Sequence, residues 1–122
     1  MGKKMGKLAG WVLVVIGVLG FFGNPLVGSS GAMFLSDTNG NLVHIVTGAI
    51  LLWVAYKSES KTDKALKVLG VIYVVMAVLG FWMSGRDLLG LMAVNSADNW
   101  LHLVLGVAML WGAKARGSLA MA

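Results

Sequence analysis

The sequence predicts an all-α integral membrane protein in which four transmembrane helices form two tandem helical hairpins. Composition indicates the class: 58% of the 122 residues are hydrophobic and 12% are charged, whereas in soluble proteins about a quarter are charged. The mean hydropathy of +0.83 agrees. An internal duplication indicates the hairpins. We predict a single membrane domain over 1–122, with one repeat at about 8–57, a cytoplasmic linker at 58–65 and a second repeat at about 66–115.

The predicted spans are the four stretches without Asp, Glu, Lys or Arg, namely 8–36, 38–56, 68–85 and 99–113. About 20 apolar residues cross a bilayer, so the first three stretches have the necessary length. The fourth reaches it when 96–98 is counted as its first turn. Four transmembrane helices are therefore expected.

Polar residues are expected to begin these helices by accepting hydrogen bonds from free backbone N–H groups. The segments 37–39 and 96–98 offer such residues to the second and fourth helices, and Thr62 or Asp63 to the third. Pro25 marks the predicted end of the first span.

The loops that follow the first and third spans, at 26–35 and 88–94, are unusually apolar. Solvated loops rarely have this composition. We expect both segments to lie in the membrane interface or to fold back over the bundle.

The two halves of the chain share a recurring set of residues. An offset of 58 relates the second helix to the fourth, and the matched residues are Asn41, His44, Gly48, Trp53 and Ala55 with Asn99, His102, Gly106, Trp111 and Ala113. An offset of 60 relates the first helix to the third, and the matched residues include Gly10, Leu19, Gly20 and Phe21 with Gly70, Leu79, Gly80 and Phe81. Because each copy holds two spans, the copies share one orientation, and a pseudo-two-fold axis along the membrane normal is expected to relate them as a parallel repeat.

Basic residues predict the orientation in the membrane. Nine of the ten Lys and Arg residues lie before the first span, between the second and third, or after the fourth, and only Arg86 lies in the other two loops. Cytoplasmic loops keep the excess of Lys and Arg. Both termini and the linker are therefore expected on the cytoplasmic side, in the cytoplasmic (inner) membrane of a bacterium or archaeon.

The net charge of +5 is explained by these topology signals and requires no nucleic acid partner. Basic residues beside a bilayer attract anionic lipid headgroups, which are the expected partners on the cytoplasmic side. The absence of cysteine excludes disulfides, thiolate metal sites and cysteine nucleophiles. No Ser-His-acid constellation is evident, so no enzyme activity is predicted.

Small residues are expected to pack the helices closely, since lipid provides no hydrophobic force between helices. The candidate close-packing residues are Gly10, Gly17, Gly20, Gly48, Gly70, Gly80 and Gly106. Ala108 and Gly112 form a further small-xxx-small pair, which suggests a face for homo-oligomer formation.

A polar stripe runs along the second and fourth helices. Positions i, i+3 and i+7 share one helix face, and Asn41, His44 and Gly48 follow this spacing, as do their partners in the second copy. Ionisable residues inside a membrane are candidate functional residues. The candidate ligand or interhelical polar site therefore consists of Asn41, His44, Asp98, Asn99 and His102.

Three interpretations of this site are open. In the first, Asn and His form hydrogen bonds across the bundle of a structural or interaction module, which self-associates or joins a larger membrane complex. In the second, His44 and His102 bind a haem axially or a metal, although catalytic zinc needs three protein ligands. In the third, the pair serves a small carrier or proton path, which the lack of acidic residues within the spans disfavours.

The motifs also resemble a known family. Three segments carry the resemblance: Leu19-Gly20-Phe21 at the end of the first span, the outer segment 88–95 and the helical segment 99–106. They are similar to segments of small bacterial four-helix membrane proteins, the family of domain of unknown function 4383. The resemblance covers nearly the whole chain and is strongest over 88–106. It implies the topology and supplies no activity. The first copy departs from the pattern, because Gly40 stands where the second copy has Asp98.

Overall fold

The computed structural model describes residues 2–28, 32–83 and 92–121. Within them the fold is four α-helices and one pair of two-residue parallel strands, in the order α1 (Gly2–Leu19), β1 (Val27–Gly28), β2 (Phe34–Leu35), α2 (Thr38–Lys57), α3 (Glu59–Trp82) and α4 (Ser96–Met121). The predicted all-helical class with four helices is confirmed. Arg86, Asp87 and the first part of the second apolar loop lie outside the described residues.

Two of the described helices are long and apolar enough to cross a membrane, judged by length and composition. They are Thr38–Lys57 and Ser60–Trp82, with mean hydropathies of 1.3 and 2.1. The 18-residue α1 includes Lys3, Lys4 and Lys7, and polar residues occupy the first turns of α4.

The helices surround the core in the order α1, α2, α3, α4. The most extensive packing joins α1 to α2 and α3 to α4, and within the described residues no Cα–Cα distance below 8 Å joins the diagonal pair α2 and α4. Glycines permit the close pairings. A Cβ added to Gly10 would lie 3.0 Å from the Gly48 carbonyl oxygen, and a Cβ added to Gly70 would lie 3.0 Å from that of Gly106.

Apart from a small set of buried polar side chains, the interior of the bundle is apolar. Its fully buried side chains include Leu13, Leu51, Leu66, Tyr73 and Met109. The outer surface is also apolar, and the exposed side chains on it include Trp11, Trp53, Val78, Trp82, Trp100, Val104 and Trp111. Exposed apolar surface of this extent is typical of membrane or protein interaction sites.

One end of the bundle, called the lysine end, contains the N-terminus of α1 and the junction of α2 with α3. Ser58 forms this junction alone: its backbone N–H donates to the Val54 carbonyl oxygen, and its hydroxyl accepts from the Lys61 N–H. The prediction that Thr62 or Asp63 caps α3 is wrong, because Ser58 already serves both helices. Thr62 lies one turn inside α3 and donates to the Ser58 carbonyl oxygen at 2.6 Å.

The opposite end, called the capped end, is where α2 and α4 begin and α1 finishes. The helix α1 ends at Leu19, before Pro25. The side-chain amide of Asn24 forms hydrogen bonds with backbone groups of the loop that follows. Its Nδ2 donates to the carbonyl oxygens of Leu19, Phe22 and Val27, and its Oδ1 accepts from two backbone N–H groups. The following loop folds back, and β2 contacts α4.

Candidate functional site

All five predicted site residues lie inside the bundle. The helix α2 carries Asn41 and His44 with 3% and 2% of their surface exposed, and α4 carries Asp98, Asn99 and His102 with 2%, 2% and 1% exposed. Their positions divide into two layers. The asparagines and Asp98 lie in the first turn of their helices at the capped end, and the two histidines lie in a layer six residues after the starts of α2 and α4.

The two imidazoles contact each other directly. The Nε2 atoms of His44 and His102 are 3.4 Å apart, and the ring centroids are 5.7 Å apart with the planes inclined by 55°. Because a neutral imidazole carries one N–H, this hydrogen bond requires opposite tautomers, with one ring protonated at Nε2 and the other at Nδ1. The contact bridges α2 and α4, the diagonal pair that no Cα–Cα distance below 8 Å joins within the described residues.

The other nitrogen of each ring is left unsatisfied. Within the described residues, Nδ1 of His44 and Nδ1 of His102 are buried and have no hydrogen-bond partner. A hydrogen bond from asparagine to imidazole, as the sequence suggested, is not among those that these residues form. Each histidine therefore finds its polar partner in the other histidine.

Tyr73 of α3 completes the histidine layer. Its ring meets that of His102 edge-on, with centroids 5.6 Å apart and planes at 87°. Its hydroxyl lies 2.8 Å from the Thr47 hydroxyl of α2. Since Thr47 gives its single proton to the Val43 carbonyl oxygen at 2.7 Å, the Tyr73 O–H donates to Thr47.

Sequence reasoning missed Tyr73 and Thr47. A signal was present, because Leu13 stands 60 residues before Tyr73 and Leu105 stands 58 residues after Thr47. In each of these two pairs of corresponding positions, one copy has a leucine and the other has a side chain with a hydroxyl group. Paired departures of this kind indicate residues that contact each other.

The two asparagines differ in their hydrogen bonds. The Ser36 hydroxyl donates to Asn41 Oδ1 at 2.7 Å. Asn99 Oδ1 is buried and has no hydrogen-bond partner among the described residues, because Val94 occupies the position that corresponds to Ser36. The oxygens of Asn41 and Asn99 fill the spaces where a Cβ on Gly20 or Gly80 would lie.

Asp98 serves the start of α4. Its Oδ2 accepts from the Asn95 backbone N–H at 3.0 Å while Asn95 Oδ1 accepts from the Asp98 N–H at 2.9 Å, which is a reciprocal cap. The Leu35 backbone N–H also donates to the Asp98 carboxylate. The acceptor that caps α4 is thus Asn95, one residue before the predicted 96–98 segment.

Asp37 caps the start of α2, as the sequence predicted. It accepts from the Gly40 N–H at 2.9 Å and from the Ala93 N–H at 3.0 Å. Each of the two carboxylates therefore caps its own helix and receives a hydrogen bond from the other half of the chain. This arrangement stabilises the capped end and leaves no carboxylate hydrogen-bonded to an imidazole in the described part of the chain.

The histidine pair does not fit a haem. A bis-imidazole haem requires the macrocycle to pass between its two axial rings, whereas these rings touch. A single small cation fits better, because two tetrahedral ligands at about 2.0–2.1 Å from a metal are about 3.4 Å from each other. The residues described by the structure include no group of three or more His, Cys, Asp or Glu that holds a metal.

Polar contacts do not continue through the bundle. Between Thr47 and the lysine end, the described core consists of apolar side chains, among them Leu51, Leu66 and Met109, until Thr62 is reached. The histidine layer is therefore enclosed on this side. A relay of protons along the bundle axis has no sequence of hydrogen-bonding side chains in this region.

These features define a four-helix protein with a closed core and a buried pair of imidazoles. The model of the family described as domain of unknown function (DUF4383) matches residues 3–114. The chain belongs to this family, as the resemblance predicted. Comparison with curated proteins and with solved structures finds no match.

Proposed function

We propose that the chain is a four-span integral membrane protein that works as a structural or interaction module of a membrane assembly, as a homo-oligomer or within a larger complex. It consists of two like-oriented hairpin repeats in the cytoplasmic membrane of a bacterium or archaeon, with both termini cytoplasmic. The observation that carries the proposal is the direct contact of His44 with His102, 3.4 Å apart, in a closed core beneath an apolar exterior.

Equivalent contacts in the two halves support the repeat. Val14 lies against Gly48 in the first half, and Val74 lies against Gly106 in the second. The Asn99 side chain also meets Gly80 as the Asn41 side chain meets Gly20, the residue that follows α1. A shared ancestry of the hairpins explains why identical residues make identical contacts 58 to 60 positions apart.

The distribution of surface residues supports insertion in a membrane. The lysine end contains Lys3, Lys4, Lys57 and Lys61, which agrees with a cytoplasmic face. Lys7 lies over the Tyr56 ring, with its Nζ 4.5 Å from the ring centroid. Between the two ends the exposed surface is apolar. Two spans are supported by helix length, and the other two follow from the repeat.

In this proposal, the imidazole pair fixes how the two hairpins dock. Inside a membrane an unsatisfied polar group is costly, so each histidine favours the arrangement in which it meets the other. Hydrogen bonds between membrane helices contribute about 0.6–2 kcal/mol. The result is a bundle of fixed shape, whose apolar exterior is available to other membrane helices.

A double-mutant cycle tests this role. The variants are His44→Phe, His102→Phe and the double variant, with the free energy of unfolding measured in a mild detergent. We expect a coupling energy of about 0.6–2 kcal/mol. The control cycle pairs His44→Phe with Thr62→Val, a buried polar residue near the lysine end, and is expected to show additivity. Additive losses in the histidine cycle would contradict the proposal.

Metal binding is a second candidate function, favoured by the Nε2–Nε2 distance. Equilibrium dialysis of the purified chain with Zn²⁺ tests it, with His44→Phe as the control. Stoichiometric binding that this variant abolishes favours the metal site. An absorbance scan of the same preparations is expected to show no Soret band, because the two rings touch and leave no space for a macrocycle between them.

A further inference from the structure

A cleft at the lysine end joins an apolar wall to two ammonium groups. It is lined by Trp53, Val54, Lys57, Ser58 and Lys61 and has a volume of about 130 Å³. It lies where α2 ends and α3 begins, so the single residue Ser58 sets the angle between its walls. None of the five lining residues is acidic.

The charges of the cleft face outward. Lys57 is the last residue of α2 and Lys61 lies in the first turn of α3, and both are exposed. The Lys57 Nζ lies 5.7 Å from the centroid of the Trp53 ring, and that indole is 64% exposed. Indoles of this kind settle at the boundary between headgroups and acyl chains. The cleft therefore presents positive charge on one side of that boundary and apolar surface on the other.

We propose that this cleft, the Lys57/Lys61 cleft, binds the phosphodiester headgroup of an anionic phospholipid, whose acyl chain lies against Trp53. The inference rests on the proposed insertion in the membrane and adds a specific site to it. Lysine binds phosphate as a point charge, and basic pockets between helices on the cytoplasmic side suit anionic headgroups. The indole and Val54 favour a lipid over free phosphate, because only a lipid covers the apolar wall.

The test measures lipid binding by native mass spectrometry of the purified chain in a neutral detergent. The probes are short-chain phosphatidylglycerol, short-chain phosphatidylcholine and inorganic phosphate. The cleft variant is Lys57→Gln/Lys61→Gln. The control variant, Lys64→Gln/Lys67→Gln, removes the same charge from exposed positions of α3 outside the cleft. We expect the cleft variant to lose about tenfold in phosphatidylglycerol affinity and the control to lose less than about threefold.

Three results would overturn the proposal. Equal losses in the two variants would indicate general attraction by positive charge. Equal binding of the zwitterionic and anionic lipids would exclude recognition of the headgroup charge. Binding of inorganic phosphate with the same dependence on Lys57 and Lys61, without tighter binding of lipid, would identify a free-phosphate site.

A further variant tests the apolar wall. Trp53→Ser is expected to weaken phosphatidylglycerol binding and to leave the inorganic phosphate response unchanged. Circular dichroism and elution volume show whether each variant is folded. Orientation in native membranes is measured separately by cysteine labelling, so a failure of the proposed topology is distinguishable from a failure of the lipid site.

Discussion

The hydroxyl groups of Tyr73 and Thr47 contact each other, and the corresponding positions of the repeat, Leu13 and Leu105, are both leucine. The contact joins α3 to α2 beside the imidazoles, at a depth where the remaining core is apolar. Hydrogen bonds at such positions orient the surrounding side chains, because few alternative polar partners are present. Tyr73 therefore helps to hold His102 against His44.

Removal of this hydroxyl tests its contribution. Tyr73→Phe keeps the ring against His102 and is expected to lower the free energy of unfolding in detergent by about 0.5–1.5 kcal/mol. Tyr56→Phe, at an exposed tyrosine, is the matched control and should change it by much less. Equal effects of the two variants would show that the contact with Thr47 contributes nothing.

The Ser36 hydroxyl offers a second test among single residues. Ser36→Val leaves the buried Asn41 Oδ1 without its partner, and the loss of such a partner costs about 1–3 kcal/mol. Valine fits the corresponding site of the second half, where Val94 is 1% exposed, so the effect is not expected from size. Unfolding in detergent measures the loss. A variant as stable as the original chain would contradict the importance of this hydrogen bond.

Close approach of the helix backbones depends on particular glycines. A Cβ on Gly48 would lie 2.7 Å from the Gly10 carbonyl oxygen, and a Cβ on Gly106 would lie 2.9 Å from that of Gly70. In both cases the obstacle is backbone, which cannot move without the whole helix. The pairings of α1 with α2 and of α3 with α4 therefore require glycine at these positions.

Alanine substitutions test the helix pairing. Gly48→Ala and Gly106→Ala are each expected to destabilise the bundle by about 1–3 kcal/mol through overpacking. Gly23→Ala is the control, because a Cβ there would have nothing within 4 Å. The thermal unfolding midpoint in detergent measures both effects. Midpoints unchanged by Gly48→Ala and Gly106→Ala would contradict the described packing.

The sequence predicts single helices better than it predicts partners. The buried face of α2 follows from the spacing of Asn41, His44 and Gly48, which depends on one helix alone. The partner of His44 depends on the relative rotation of two helices and on side-chain rotamers, so an asparagine and a histidine were equally reasonable. The cap of α4 also escaped prediction, because four successive polar or small residues precede Asn99 and only the backbone path selects Asn95.

Across the whole molecule, polar contacts join the two halves of the chain at two levels of the bundle. At the capped end the exchanged hydrogen bonds are Ala93 N–H to Asp37, Leu35 N–H to Asp98 and Asn95 Nδ2 to the Met33 carbonyl oxygen. In the histidine layer the contacts are His44 with His102 and Thr47 with Tyr73. Between the histidine layer and Thr62 near the lysine end, the described core contributes apolar packing. A closed bundle whose polar contacts lie in the histidine layer and at the capped end suits a module of fixed shape better than a conduit.

Topology is testable because the chain has no cysteine. Single variants Ser60→Cys and Ser96→Cys place a thiol at exposed positions near the lysine end and the capped end. In intact cells, a membrane-impermeant maleimide should label only the Ser96→Cys variant, and it should label both after permeabilisation. Labelling of Ser60→Cys in intact cells would contradict the proposed orientation.

The most direct test of the central claim is a nitrogen-15 magnetic resonance spectrum of the histidine side chains, since the chain has two histidines and no other imidazoles. The account predicts opposite tautomers, with one Nε2 protonated and the other not, and a through-space contact between these two Nε2 nuclei. Phe substitution of either histidine should abolish the contact. Two rings of the same neutral tautomer, or Nε2 nuclei with no mutual contact in the folded protein, would contradict it.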